Sequence, residues 1–261
     1  MNGRFYNMSL KKVQSTVLSV CFIFCSFSFA GSVDELVIIT ETYPPFNYEQ
    51  KGNLQGISVE IMGLILKKAG SKLTIKNIQL LPWSRGYKNV QNVKNTCLFS
   101  TTRTPERENL FKWVGPIISN KNVLIALKAK NIKIQSINDC KKYKIGVVSD
   151  DIGEQLLLKE GFKKEALDRI GGTTAITQSI QKLIRGRIDL FSYSEAVVQW
   201  EIKNLKKNPG DFETVYTLSE GQLYYALNKE TSDAVISQMQ KALDELKRGD
   251  EIKGIIQKYT K

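Results

Sequence analysis

Hydrophobic positions along the chain switch repeatedly between a period of two and a period of 3.6. Glu35-Leu-Val-Ile-Ile-Thr40 is a β-branched run that predicts a strand. Tyr43-Pro-Pro-Phe46 cannot continue it, because two prolines remove ladder donors, so a loop carrying aromatics hangs at the strand's carboxyl end. After a Lys51-Gly52-Asn53 turn, Ile57, Ile61, Leu64 and Ile65 share one face and predict a helix over 56–69, with Ser58 as N-cap and Gly70 closing it. A strand over 72–80, a helix over 83–93 and a strand from Asn95 follow. Beyond Pro116 the pattern starts a second series: an extended piece at 123–127, a polar basic loop over 128–135, strands at 143–148 and 166–170, and a helix at 152–160 between them. An amphipathic helix over 175–185, strands at 188–191 and 223–227, and two closing helices over 232–248 and 251–259 complete it. Alternating strands and helices predict α/β layers with crossover connections, and in such sheets ligands bind beyond the carboxyl ends of the strands.

The first 30 residues follow another rule. Arg4, Lys11 and Lys12 stand in an acid-free start, an apolar run reaches Phe29, and Ser28-Phe29-Ala30 ends it with small residues. That is the pattern of a signal peptide spanning 1–30, cleaved after Ala30, which directs the mature chain to the periplasm. The alternative is an uncleaved membrane anchor, although Gln14, Ser15 and Thr16 shorten the apolar part.

Charge and composition then narrow the function. The formal net charge is +12, falling to +9 without the three basic residues of the leader. Export and scattered lysines without interleaved aromatics argue against a nucleic-acid partner and for a solvated basic surface. The chain has no histidine, which removes the commonest general base and metal ligand, so neither a metal nor a cofactor is expected. The mature part keeps two cysteines, Cys97 and Cys140, and Cys97 in an apolar strand pattern is expected to be a buried free thiol.

The candidate chemistry lies in Cys97-Leu-Phe-Ser-Thr-Thr-Arg-Thr-Pro-Glu-Arg107. Period-two alternation puts Ser100, Thr102 and Thr104 on one side of a strand end. Thr104 then reads as the N-cap of a helix with Pro105 in its first position. Arg107 near that N-terminus opposes the helix dipole unless an anion sits beside it. Two readings fit: a bound carboxylate held by Arg107 and Thr102, or a surface pair with Glu106, Glu108 or another surface acid.

With Tyr43-Pro-Pro-Phe46, Gly56-Ile-Ser-Val-Glu60, Gly186-Arg-Ile-Asp189 and Tyr224-Tyr-Ala-Leu227 in order, this segment resembles the periplasmic solute-binding proteins of ABC importers, polar amino acid type (bacterial extracellular solute-binding protein family 3). The resemblance covers nearly all of the mature chain. It implies a two-lobed periplasmic-binding-protein-like fold (type II) with two hinge strands, lobe 1 being 31–120 plus 223–261 and lobe 2 being 121–222. It also implies a monomer that closes on a small carboxylate-bearing solute, an amino acid or a relative of one, and hands it to a membrane permease. Arg107 and Thr102 match the positions that bind a ligand α-carboxylate, and Ser100 one that meets the amine. Tyr43 and Trp83 match positions on either side of the ligand, and Asp151 and Ile152 the second-lobe loop. The family usually places an aspartate for the ammonium where this chain has Ser194, between Tyr193 and Glu195. Alternatives on the same fold are a dehydratase-like enzyme using Glu41, Asp151 or Glu195, and a sensory domain signalling to a membrane partner.

Overall fold

A computed structural model describes residues 1–3 and 31–260; the expected signal peptide falls almost wholly outside them. In chain order the strands are β1 (Val37–Thr40), β2 (Tyr48–Gln50), β3 (Asn53–Gln55), β4 (Gln79–Leu80), β5 (Thr96–Thr102), β6 (Phe111–Leu127), β7 (Ile145–Val148), β8 (Leu167–Ile170), β9 (Leu190–Ser194) and β10 (Phe212–Asn228). The helices are α1 (Ile57–Lys68), α2 (Trp83–Asn92), α3 (Pro105–Glu108), α4 (Ile152–Lys159), α5 (Ala175–Ile184), α6 (Glu195–Asn204), α7 (Asp233–Arg248) and α8 (Glu251–Thr260).

Eight strands form one ladder in the order β4-β1-β5-β10-β6-β9-β7-β8. At one end β4, β1 and β5 run parallel; at the other, β9, β7 and β8 run parallel. Between them β6 and β10, 17 residues each, pair antiparallel from Phe212 opposite Leu127 to Asn228 opposite Phe111. At about 3.3 Å per residue, each is long enough to cross from one parallel set to the other, roughly 55 Å. β10 meets β5 only over Leu223–Leu227, and β6 meets β9 only over Asn122–Ile125. The stretch Ser119–Lys121 and its partners Glu220–Gln222 therefore have no third strand beside them, and the ladder is two strands wide there.

Helices bury their apolar faces on both sides. Ile57, Ile61 and Ile65 of α1 and Met239 and Leu243 of α7 cover one face of the first set, while Trp83 and Val90 of α2 pack on Ile39, Leu98 and Phe111 on the other. In the second set Ile180 of α5 and Val198 of α6 take one face, and Leu157 of α4 packs with Ile145, Val147 and Leu190 on the other. Cys97 and Cys140 are both buried free thiols.

Several local expectations change. The crossing strands extend well beyond the apolar runs at 123–127 and 223–227, because polar residues pair there in the ladder, Ser119, Glu220 and Gln222 facing solvent and Asn120 the cleft. The strand expected over 72–80 shrinks to Gln79–Leu80 behind a 3-10 turn at Ile75–Asn77, capped by the Thr74 side chain. Helix α6 was not signalled by periodicity. Gly56, not Ser58, caps α1: its φ of 124° is open to glycine, and a Cβ there would overlap the Phe46 carbonyl oxygen.

Candidate functional site

Every loop that builds the site leaves the carboxyl end of a parallel strand. β1 hands over to Glu41 and Tyr43, β4 to Trp83, β5 to Arg107, β7 to Asp150–Ile152, and β9 ends on Ser194. The two parallel sets face one another through these loops, so side chains far apart in sequence converge between them.

The junction after β5 is shaped by a bulge. Tyr224 pairs with Thr101 and Tyr225 with Phe99, which leaves Ser100 as the extra residue, at φ 59°. The expected alternation of Ser100 with Thr102 is therefore interrupted. Ser100 instead donates to Asn47 Oδ1 and accepts from the Ser58 hydroxyl at 2.9 Å, while the Asn47 amide holds the Glu41 carbonyl at 2.6 Å. Thr104 caps α3 by accepting from the Arg107 N–H at 3.3 Å, with Pro105 in the first position.

Arg107 pairs with neither neighbouring acid. Glu108 takes Arg103 (Nε to Oε2, 2.7 Å) and Glu106 takes Lys159 across the cleft at 2.5 Å. The Arg107 side chain turns inward and is 1% exposed. Its guanidinium carbon lies 5.4 Å from the Trp83 ring centre and 5.1 Å from that of Tyr87, and these two rings stack at 5.3 Å. Nη1 donates to the Thr102 carbonyl at 3.2 Å and Nε to Gln155 Oε1 at 3.1 Å, but Nη2 is buried with no hydrogen-bond partner. Burial holds the Arg107 pKa below its ordinary value.

Around it stand two buried acids. Asp151 caps α4, accepting from the Gly153 N–H at 3.2 Å, and Glu41 makes no ion pair among the described residues. Burial raises both carboxyls, Glu41 strongly; the Asp151 charge pushes Glu41 further up and Arg107 pulls it back. Trp83 donates its indole N–H to the Asp150 carbonyl at 2.8 Å, joining α2 to the loop before α4. Asp150 adopts φ 62°, a left-handed backbone that aims this carbonyl at Trp83 and at Gln155 Nε2, 3.1 Å away.

A second polar chain runs to the hinge. Ser194 Oγ donates to Asn120 Oδ1 at 2.6 Å, and Asn120 Nδ2 donates to the Tyr43 hydroxyl at 3.1 Å. Tyr43 packs edge-on against Tyr193 at 5.5 Å, and the buried Tyr193 hydroxyl has no partner. A cavity of about 10 Å³, lined by Glu41, Trp83, Val148, Thr173, Ile176 and Tyr193 among others, is what separates the two sides; that is room for about one water. Ile152 lies outside this point, in a groove of about 280 Å³ with Thr104, Glu106, Gln155 and Lys159 at the cleft mouth.

Tyr43, Trp83, Thr102, Arg107, Asp151 and Ser194 thus gather at the cleft, Ser100 turns its hydroxyl into the first lobe, and Ile152 borders the mouth. Sequence reasoning did not select Tyr87, Asn120, Gln155 or Tyr193. Asn120 falls in a crossing strand that has no apolar signature, and Gln155 is a polar residue on an otherwise ordinary helix. Glu41 was considered only as a candidate acid or base of the enzyme alternative, not as a ligand contact.

The profile of the bacterial extracellular solute-binding proteins, family 3, matches residues 36–261. The chain belongs to that family. It is therefore a binding protein rather than an enzyme. Among curated relatives it is 29% identical over 223 residues to the probable amino-acid-binding protein YxeM of Bacillus subtilis, covering 82% of this chain and 79% of that protein. It is 25% identical over 207 residues to the arginine-binding extracellular protein ArtP of the same organism, covering 75% and 77%. Solved structures agree on the fold: an ancestral arginine-binding protein bound to arginine has a TM-score of 0.70 at 23% identity, covering 87% of this chain and 98% of that one. A histidine kinase sensor domain similar to periplasmic binding proteins reaches 0.75 at 16% identity, covering 87% and 97%.

Proposed function

We propose that this family member is the exported receptor of an amino acid ABC importer, binding an α-amino acid with a cationic side chain between its lobes and presenting it to a membrane permease. Residues 1–30 serve as its export signal. Lobe 1 comprises 31–120 and 223–261, lobe 2 comprises 121–222, and they move about the two-strand crossing.

The observation that carries this reading is Arg107 Nη2, a buried donor on a charged group with nothing to bond. An ionised side chain removed from water is stable only when paired, and a ligand carboxylate completes the fork. Glu41, buried at the cavity without an ion pair, supplies the complementary site for a positive charge, and Trp83 and Tyr43 supply aromatic walls. Among relatives, ArtP is named for arginine and a Neisseria gonorrhoeae relative, 25% identical over 232 residues, is called a probable histidine-binding protein. The cavity is far smaller than an amino acid, so capture requires the lobes to part and re-close on the ligand, whose contacts with both lobes then favour the closed form.

The test is calorimetric titration of the mature protein with L-arginine, L-lysine, L-histidine, L-cystine and L-glutamate. Cationic ligands are expected to bind, and Arg107→Ala to weaken binding at least 10-fold, the equivalent of about 1.5–3 kcal/mol for a charged hydrogen bond. A bound amino acid whose affinity is unchanged by Arg107→Ala contradicts the carboxylate role.

A further inference from the structure

We infer that Gln155 is an internal competitor for the ligand carboxylate: in the shut cleft its side-chain oxygen occupies the place on Arg107 that one carboxylate oxygen must take. The inference rests on Arg107 being the carboxylate anchor. A carboxylate grips a guanidinium through two parallel N–H bonds, from Nε and Nη2 on one edge or from the two Nη groups on the other. Here Nη1 is committed to the Thr102 carbonyl, within its own lobe, and Nη2 is free. The edge open to a fork is therefore Nε with Nη2, and Nε is held by Gln155 Oε1 at 3.1 Å.

Gln155 is fixed in that pose from its other end. Its amide donates to the Asp150 carbonyl at 3.1 Å, the acceptor that also receives the Trp83 indole N–H at 2.8 Å. Since arginine can only donate and a carbonyl can only accept, the orientation of the amide is determined: oxygen to Arg107, nitrogen to Asp150. The side chain thereby joins the lobes, Arg107 and Trp83 belonging to the first and Gln155 and Asp150 to the second. Further contacts cross between the lobes away from the anchor: Lys159 to Glu106 at 2.5 Å, Ser194 to Asn120 at 2.6 Å, and the Tyr48–Trp200 and Tyr43–Tyr193 ring pairs at 5.0 and 5.5 Å. None of these touches Arg107, so none blocks its open edge, whereas the Gln155–Arg107 bond occupies it.

The consequence is an affinity brake. The shut form with Gln155 on Arg107 competes with the ligand, and apparent affinity falls by the fraction of molecules held in it. Removing Gln155 leaves Arg107 Nε buried without an acceptor whenever the cleft shuts on itself. Such a loss for a charged donor shifts the open-to-shut ratio by roughly 10-fold or more. Gln155→Glu loses the amide donor to the Asp150 carbonyl but gains an ion pair with Arg107, the stronger of the two contacts, and so has the opposite effect.

The experiment compares wild type, Gln155→Ala and Gln155→Glu, first without ligand by small-angle X-ray scattering, then by titration with L-arginine. The expected order of radius of gyration is Gln155→Ala largest and Gln155→Glu smallest. L-Arginine should bind Gln155→Ala about 10-fold more tightly than wild type and Gln155→Glu about 10-fold more weakly. Equal radii for wild type and Gln155→Ala overturn the inference, with or without L-arginine binding. Weaker or unchanged L-arginine affinity in Gln155→Ala overturns it too, since Gln155 is then a ligand or closure contact. Arg107→Ala, run alongside, reports on the anchor itself: if it binds like wild type, the anchor reading fails whatever Gln155 does.

Discussion

Tyr193→Phe is the substitution that separates function from stability most cleanly. The hydroxyl of Tyr193 is buried and unpartnered, while its ring stacks on Phe191 at 5.4 Å and 9° and meets Tyr43 edge-on at 5.5 Å. Phenylalanine keeps both ring contacts and deletes only the oxygen. Burying a hydroxyl without a partner costs about 1–3 kcal/mol, and losing the dispersion contacts of one atom costs a few tenths of a kcal/mol. The net expectation is a gain of about 1 kcal/mol in the ligand-free protein, or about 2–4 °C in Tm for a chain of this size. Ligand affinity should move the other way, by roughly 5- to 10-fold, because the hydroxyl lines the cavity beside Glu41 and gains its partner only when the site is filled. Differential scanning calorimetry with and without L-arginine measures both. A Tyr193→Phe protein that is less stable than wild type refutes the reasoning, since the hydroxyl would then be bonded in solution.

Two further substitutions probe the charge and the backbone. Glu41 faces Asp151, Arg107 and Tyr193 in the cleft, and burial lifts its pKa well above the ordinary carboxylate range. A raised carboxyl binds more protons folded than unfolded, so the ligand-free protein should gain stability as pH falls towards about 5 and lose it as pH rises, while affinity for a cationic ligand falls with pH. Glu41→Gln should reduce that slope in a thermal series between about pH 5 and 8 and abolish the pH effect on L-arginine affinity; an unaltered slope would place the titration elsewhere. Gly56→Ala should cost about 1–3 kcal/mol in urea unfolding, because its φ is 124° and the new Cβ would run into the Phe46 carbonyl oxygen. A variant as stable as wild type would mean the loop moves freely there.

The local order of strands and helices was legible because it depends on periodicity, and the apolar faces of α1, α5 and α7 are visible in their own sequences. The α3 start was equally local: Thr104, Pro105 and the acids after them form a cap wherever the chain goes. Arg107 stood out by opposing that cap, but the sequence left open whether it pairs with Glu106 or Glu108. Only the tertiary structure decided this, by giving Glu108 to Arg103 and Glu106 to Lys159 and turning Arg107 into the cleft. The same holds for β6 and β10, whose polar central residues have no apolar periodicity and are ordered by pairing with each other. Gln155, Asn120 and Tyr193 acquire their roles from partners 48, 77 and 150 positions away (Arg107 and Tyr43), distances over which no period in the chain carries information. The sequence alone determined most of the alternation of strands and helices, though not α6 or the length of β6 and β10, and which residue types could grip a charged solute. The fold decided which of them meet, because convergence at the strand ends is a property of the sheet's topology and not of any one segment.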